Sequence, residues 1–214
     1  MNTIELFSGT ESFSKVAKTM NYNTLTIDNN PKFDPDICCD IFKITPKYLG
    51  VDGVDILWAS PPCTTFSVAS IGRHWNKDGT PKSDNAELGL RILEHTIRLI
   101  AWTRPKLWYI ENPRGMMRKV IDKIFLEQGM TNYVRHTITY CQYGDTRMKP
   151  TDIWTNDKNW KPRPACKNGS PCHVSAPRGS RTGTQGLKCN MERSVVPKQL
   201  INEILRKPQG TRKE

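Results

Sequence analysis

The sequence predicts an α/β protein built on a doubly wound, mostly parallel sheet. Strand-like and helix-like segments alternate over residues 1–156 of the 214, the pattern that lays helices on both faces of a parallel sheet. Residues 54–59, Val-Asp-Ile-Leu-Trp-Ala, are a nearly continuous apolar run, as a strand covered on both faces requires. After residue 156 the alternation stops, which predicts a small irregular insertion before a last helix.

The elements follow in order. Residues 3–7 read as a strand. Residues 11–20 carry Phe13, Val16, Ala17 and Met20 at helical spacing. Residues 23–28 are a second strand and 36–41 a short third. The run 54–59 is the central strand. Residues 85–103 put Leu88, Ile92, Leu93, Thr96, Ile97 and Ile100 on one face, the clearest helix in the chain. Arg104-Pro105 breaks it and delivers a strand at 107–110. A helix at 115–128 and strands at 136–142 and 152–155 complete a domain over 1–156. Residues 157–190 are rich in Pro, Gly, Lys and Arg and lack apolar periodicity, so this stretch is functional or held by something else. Residues 196–206 read as a helix with Pro197 near its first turn, which packs back on the domain within a final segment 191–214 whose end is a frayed tail.

Composition narrows the function class. The net charge is +11, and residues 157–214 hold 13 Lys+Arg against 4 Asp+Glu. A basic segment on a nearly neutral body suits a polyanion bound by phosphate neutralisation. The alternative is a solvated tail; aromatic and glycine residues among the charges favour nucleic acid. No stretch reaches the ~20 apolar residues of a membrane span. The N-terminus lacks the charged and apolar regions of a signal peptide, so a cytoplasmic location is expected. Seven cysteines in a reducing compartment point to reactivity or metal binding rather than disulfides.

Four runs fall at strand ends, where ligands bind in open α/β sheets. Phe7-Ser8-Gly9-Thr10 precedes the first helix, and its glycine lets a ligand approach the backbone. Asp28 ends the second strand, as a ribose-binding carboxylate or a turn cap. Cys39-Asp40-Ile41 follows the third. Ser60-Pro61-Pro62-Cys63 follows the central strand and places a thiol on a proline-stiffened turn, as a nucleophile or a small packing residue. Glu111-Asn112-Pro113 ends the fifth strand, projecting a carboxylate from the same edge.

Together these runs resemble the DNA cytosine-5 methyltransferase family. Phe7-Ser8-Gly9 is similar to its cofactor loop. Ser60-Pro61-Pro62-Cys63 with Phe66-Ser67 is similar to its catalytic loop. Arg104-Pro105-Lys106 leading to Glu111-Asn112, then Tyr143-Gly144-Asp145-Thr146-Arg147-Met148-Lys149, and finally Arg193-Ser194-Val195-Val196-Pro197 resemble three further motifs in the family's order. The match covers 1–156 and 190–206. The Ser-Pro-Pro-Cys loop argues against amino-group methyltransferases, whose loop ends in an aromatic residue.

The resemblance implies an S-adenosyl-L-methionine-dependent, Rossmann-like fold and methyl transfer to a flipped-out cytosine. Catalysis would fall to Cys63 attacking C6, Glu111 acting at N3 and Arg147 holding O2. The cofactor would lie against Phe7, Ser8, Gly9, Thr10, Asp28, Asp40, Ile41 and Pro61. Thr65, Ser67, Asn112 and Lys149 would contact the nucleic acid. DNA is the expected partner. Specificity would be relaxed or supplied by an accessory subunit, because only about 35 residues stand where the family carries a target-recognition domain. The chain is expected to be a monomer, and its small size suits a phage or mobile-element enzyme of a restriction-modification type. Methylation of RNA, tRNA included, and non-catalytic nucleic-acid binding are the rival readings. The intact Cys63, Glu111 and Arg147 set argues against the second.

This sequence departs from the family's pattern at several points. Glu11 and Ser12 stand where glycines are usual, Pro113 where valine is usual, and Lys149 lacks the bidentate geometry of arginine. Arg181-Thr182-Gly183-Thr184-Gln185-Gly186 has a slight likeness to a recognition motif. In the insertion, Cys166, Cys172, His173 and Cys189 supply the donors of a closed zinc site; the alternative is a set of unrelated surface cysteines. His95 and His136 read as structural, and Cys38 and Cys39 as packing residues.

Overall fold

Seven strands pair in one sheet in the computed structural model, which describes residues 1–49, 53–175, 187 and 189–206. They are β1 (Asn2–Leu6), β2 (Asn23–Asp28), β3 (Ile37–Cys38), β4 (Ile56–Ala59), β5 (Leu107–Pro113), β6 (Val134–Thr139) and β7 (Pro150–Thr155). Their spatial order is β3-β2-β1-β4-β5-β7-β6. The pairings from β3 through β5 are parallel, while β7 runs antiparallel to both its neighbours. The reason lies in the connections. Parallel neighbours need a crossover of a dozen or more residues; between β6 and β7 the chain has only residues 140–149, so it turns back on itself.

The seven helices among the described residues are α1 (Ser12–Thr19), α2 (Pro46–Leu49), α3 (Ile71–His74), α4 (Asp84–Thr103), α5 (Met117–Glu127), α6 (Asn190–Ser194) and α7 (Lys198–Leu205). They cover both faces of the sheet, and β4 shows how one strand serves two cores. Leu57 and Ala59 face a cluster with Leu93 and Ile97 of α4 and Ile121 and Phe125 of α5. Ile56 and Trp58 face the other side, with Phe13 and Val16 of α1 and Leu200, Ile201 and Ile204 of α7. All four β4 side chains are buried, which explains the unbroken apolar run. Phe13 stacks on Trp58 at 5.6 Å between ring centroids.

Several expectations change. The third strand is two residues long rather than 36–41. Asp36 turns aside to accept hydrogen bonds from the Thr26 amide (2.8 Å) and hydroxyl (2.7 Å), and Asp40 caps a 3-10 turn at Ile41–Lys43. Cys38 is exposed rather than packed. The strand expected at 136–142 ends at Thr139, where a 3-10 turn, Tyr140–Tyr143, takes over. β5 continues through Pro113, so Glu111 lies within a paired strand. The final helix starts at Lys198, because Val196 is used otherwise: its N–H donates to Ser12 Oγ at 3.1 Å. Short helices α2, α3 and α6 span too few residues to leave a periodic signature.

The insertion is irregular but anchored. Trp160 is buried, packs edge-on against Tyr109 at 6.2 Å, and donates through Nε1 to Glu203 Oε1 at 3.2 Å. Arg163 bonds Glu203 and the Gln142 carbonyl. Residues 181–186, with the slight recognition-motif likeness, lie outside the described residues, as does the tail after 206. Among the described residues no helix is long and apolar enough to cross a membrane.

Candidate active site

Strand order reverses between β1 and β4, since β2 and β3 lie to one side and β5 to the other. This is the switch point at which open α/β sheets bind ligands. In register, Leu6 neighbours Ala59 and Ala59 neighbours Ile110, so the loops after β1 and β4 and the end of β5 meet at one edge.

The loop after β1 turns sharply. Phe7, Gly9 and Glu11 all have left-handed backbones (φ 59°, 44° and 55°). Only Gly9 adopts that conformation without steric cost. Asp28 braces the turn, accepting from the Gly9 N–H and the Asn30 N–H, each at 2.9 Å. Helix α1 is capped from a distance. The buried Glu5 on β1 takes the Phe13 N–H (3.1 Å) and Ser14 N–H (2.8 Å), work usually done by a residue at the N-cap itself. Burial pushes the Glu5 carboxyl up to about 7. The loop suits a polar cofactor by one direct sign: Ser8 Oγ is buried and has no hydrogen-bond partner among the described residues. A buried hydroxyl in that state is destabilising unless a ligand satisfies it. Asp40 is exposed, with one oxygen held by the Phe42 N–H; Ile41 and Pro61 are buried and Thr10 half-buried at the same edge.

The loop after β4 is held by neighbours rather than by its own turn alone. The Ser60 N–H reaches Leu6 O at 3.3 Å, and Cys63 O accepts from the Phe66 and Ser67 amides at 3.1 and 3.0 Å. Asn112, wholly buried on β5, donates from Nδ2 to Pro61 O at 2.8 Å. The Met116 N–H donates to Phe66 O at 2.7 Å. Gly115 makes that approach feasible, since a Cβ there would sit 2.0 Å from Phe66 O. Burial pushes the Cys63 thiol above its ordinary value. Lys149 opposes this and pulls it down, while Glu111 adds to the upward push.

Glu111 is buried, and Tyr140 donates its hydroxyl to Glu111 Oε1 at 2.7 Å. Burial, reinforced by the Glu111 charge, raises the Tyr140 phenol well above its usual value, so Tyr140 remains a donor and orients the carboxyl. Lys149 Nζ lies 4.6 Å from the Tyr140 ring centroid and donates to Arg193 O at 3.0 Å. The Lys149 backbone has φ 25°, a strained conformation for a non-glycine residue and of the kind found at functional sites. Nothing in the sequence marked Tyr140, which sits where a strand was expected to continue.

Three expected contacts take other places. Arg147 is buried, and all five of its N–H donors are used. Nε and Nη2 fork onto Asp145, Nη1 reaches Glu192 O (3.3 Å) and Arg193 O (3.0 Å), and Nη2 also reaches Val195 O (3.2 Å). It clamps the 192–195 segment and has no donor left for a base. Thr65 is buried under α4, with its Oγ1 against Gly89, and its carbonyl takes the Trp75 indole N–H at 2.8 Å. Asn112 ties the Cys63 loop rather than lining it. Ser67 remains half-buried, sharing a 3.0 Å hydrogen bond with Ser70 Oγ. Of the expected zinc donors, Cys166, Cys172 and His173 converge. Cys189 does not join them, because it stands exposed at the start of α6, and Cys141 takes the fourth place.

Known proteins resemble this chain in sequence and in fold. Residues 1–131 match the family described as C-5 cytosine-specific DNA methylase. The chain is 29% identical over 225 residues to the "Probable DNA (cytosine-5)-methyltransferase" of Frog virus 3 (isolate Goorha), covering 96% of this chain and 99% of that one. It is 31% identical over 96 residues to the DNA (cytosine-5-)-methyltransferase M.ApeKI of Aeropyrum pernix, covering 42% of this chain and 19% of the relative. Among solved structures, the Entamoeba histolytica methyltransferase EhMeth superposes with a TM-score of 0.52 at 16% identity, over 72% of this chain and 52% of that one. The chain thus spans about half the length of that structure, and the likeness is one of fold.

Proposed function

The chain belongs to the C-5 cytosine-specific DNA methylase family, and from that premise we propose that it methylates C5 of a flipped-out cytosine in DNA through a covalent Cys63 adduct. The observation that carries this reading is the convergence of Cys63, Glu111 and Lys149 at one sheet edge, where the charges of the last two act on the thiol of the first.

Cytosine C5 is a poor nucleophile. Addition of the Cys63 thiolate to C6 forms an S–C bond and pushes the electron pair toward C5, N3 and O2. Glu111, steered by Tyr140, takes up the proton that the Cys63 thiol releases and hands it to N3, which absorbs the charge. Its Oε2 has no hydrogen bond among the described residues. Lys149 supplies the positive charge for the developing anion, in place of the Arg147 that the sequence suggested; a preorganised cation beside the reacting base is the kind of group that stabilises such charge. Once C5 carries the methyl group, solvent water takes its proton, and the C–H electron pair re-forms the C5–C6 double bond as the C6–S bond breaks and releases Cys63.

S-adenosyl-L-methionine, when bound, supplies the electrophilic methyl group. Phe7, Ser8, Gly9, Thr10, Asp28, Asp40, Ile41 and Pro61 would hold it, with the unpartnered Ser8 hydroxyl as a donor or acceptor. The net charge of +11 favours a phosphate backbone, and phosphate contacts offset the few kcal/mol, roughly, of unstacking the base. Specificity would come from a partner or be relaxed.

The test is transfer of a tritiated methyl group from the donor to duplex DNA, with tRNA in a parallel assay and Cys63→Ala as control. Incorporation into DNA as 5-methylcytosine, lost in Cys63→Ala, is the expected result. Label in tRNA and none in DNA would move the substrate to RNA; none in either, with the donor bound, would refute catalysis.

A further inference from the structure

We infer that Cys141, Cys166, Cys172 and His173 form a structural zinc site that pins the basic insertion to the turn leading into Arg147 and Lys149. The four donor atoms lie within 4.8 Å of one another. The individual spacings fit one ion. Cys166 Sγ and Cys172 Sγ stand 3.5 and 3.6 Å from His173 Nδ1. A tetrahedral site with Zn–S of ~2.3 Å and Zn–N of ~2.0 Å has S···N edges of ~3.5 Å. The Cys166–Cys172 separation is 3.2 Å, well beyond the ~2.05 Å of a disulfide bond and nearer the ~3.8 Å sulfur–sulfur edge of a zinc tetrahedron. His173 directs Nδ1 at both thiols, while its Nε2 has no partner among the described residues; Nδ1 is therefore the ligating atom.

The donor set selects the metal. Three sulfurs and an imidazole suit zinc and exclude magnesium or calcium, which take oxygen ligands. Four protein ligands fill the tetrahedron and leave no position for water, the mark of a structural rather than a catalytic zinc.

The location says what the metal does. Cys141 belongs to the 3-10 turn Tyr140–Tyr143, at the end of β6. The other three come from the insertion, where regular elements are lacking. Cys141 and His173 are buried, Cys166 is half-buried and Cys172 exposed. Two backbone ties flank the cluster: the Cys166 N–H donates to Thr139 Oγ1 at 2.8 Å, and the Val174 N–H to Thr146 O at 2.9 Å. Thr146 precedes Arg147 directly. An ion here therefore folds residues 166–174 and braces the loop that carries the cation of the site, a task that metal binding performs where an apolar core is missing. The sequence named three of these donors but missed Cys141, which lies 25 residues before Cys166 in a run that reads as strand.

The test is metal analysis of the full chain purified under reducing conditions without chelator, together with cobalt(II) loading of the same protein. About one zinc per chain is expected, and the cobalt form should show the absorption of tetrahedral, thiolate-bound cobalt. Cys141→Ser and Cys166→Ser should lose the metal, while Cys189→Ala keeps it. The cobalt spectrum of the unaltered chain guards against variants that merely fail to fold. Less than half an equivalent of zinc with no thiolate–cobalt band would overturn the site. So would a Cys166–Cys172 disulfide in freshly prepared protein, or metal retained by Cys141→Ser and lost by Cys189→Ala. None of these readouts depends on methyl transfer.

Discussion

Lys149 and Arg147 lie two residues apart, and the structure gives them different work. Arg147 spends its five donors on Asp145 and on three backbone carbonyls of residues 192–195, so it positions a segment. Lys149 acts on Cys63: its charge lowers a thiol that burial otherwise raises. Removing the charge should therefore raise the Cys63 pKa further. In Lys149→Gln, the pH midpoint for alkylation of Cys63 by iodoacetamide should move upward, and Lys149→Arg should restore it. An unchanged midpoint in Lys149→Gln would separate Lys149 from the thiol. The thiol and the carboxylate proposed to act with it were singled out in the sequence because Cys63 and Glu111 come just after the apolar runs 54–59 and 107–110. Arg147 was expected to be the cation of the site, and spacing along the chain does not reveal that protein acceptors saturate it. Tyr140 was invisible for a related reason: its role depends on a β5–β7–β6 neighbourhood formed by residues far apart in sequence.

At the scale of elements, the Cys63 loop owes its shape to the segment after β5. Asn112 holds Pro61 O, and Met116 holds Phe66 O across Gly115. A Cβ at Gly115 would sit 2.0 Å from Phe66 O, and the atom it meets is backbone, which cannot rotate aside. Gly115→Ala should push the loop away and break the Met116 hydrogen bond. A displacement of about 1 Å at reacting groups lowers turnover by roughly 10²-fold, so kcat should fall by that order while cofactor binding at the β1 loop persists. Turnover equal to the parent in Gly115→Ala would show that the loop does not depend on this contact. The strands and long helices were readable from periodicity. β3 was overestimated because Asp36 and Asp40 bond locally and end it, and the antiparallel β7 follows from a connection too short for a crossover.

At the scale of the whole molecule, the N-terminus of α1 is joined to the sheet through Glu5. The carboxyl is raised to about 7 from an ordinary value of 4.5, chiefly by burial. The folded chain then binds this proton more tightly than the unfolded chain, so Glu5 makes stability fall as pH rises from about 4.5 to about 7. A shift of that size corresponds to up to about 3 kcal/mol. Glu5→Gln cannot titrate, and urea unfolding across this window should show a flatter decline than the parent. The same decline in both chains would assign the pH dependence elsewhere. The sheet and its covering by helices on both faces were predictable from alternation and apolar runs. The insertion was not, because Trp160, Arg163 and the Cys/His cluster anchor it through contacts that leave no periodic trace.

The bond proposed between Cys63 and cytosine is tested by covalent trapping on duplex DNA containing 5-fluorocytosine with the methyl donor present. Fluorine at C5 cannot leave as a proton does, so the adduct should persist. The expected result is a denaturation-resistant protein–DNA species whose mass equals chain plus methylated oligonucleotide, with the link mapped to Cys63 and absent in Cys63→Ala. Tight DNA binding with donor bound and no such species, or a link mapped to another cysteine, would contradict it.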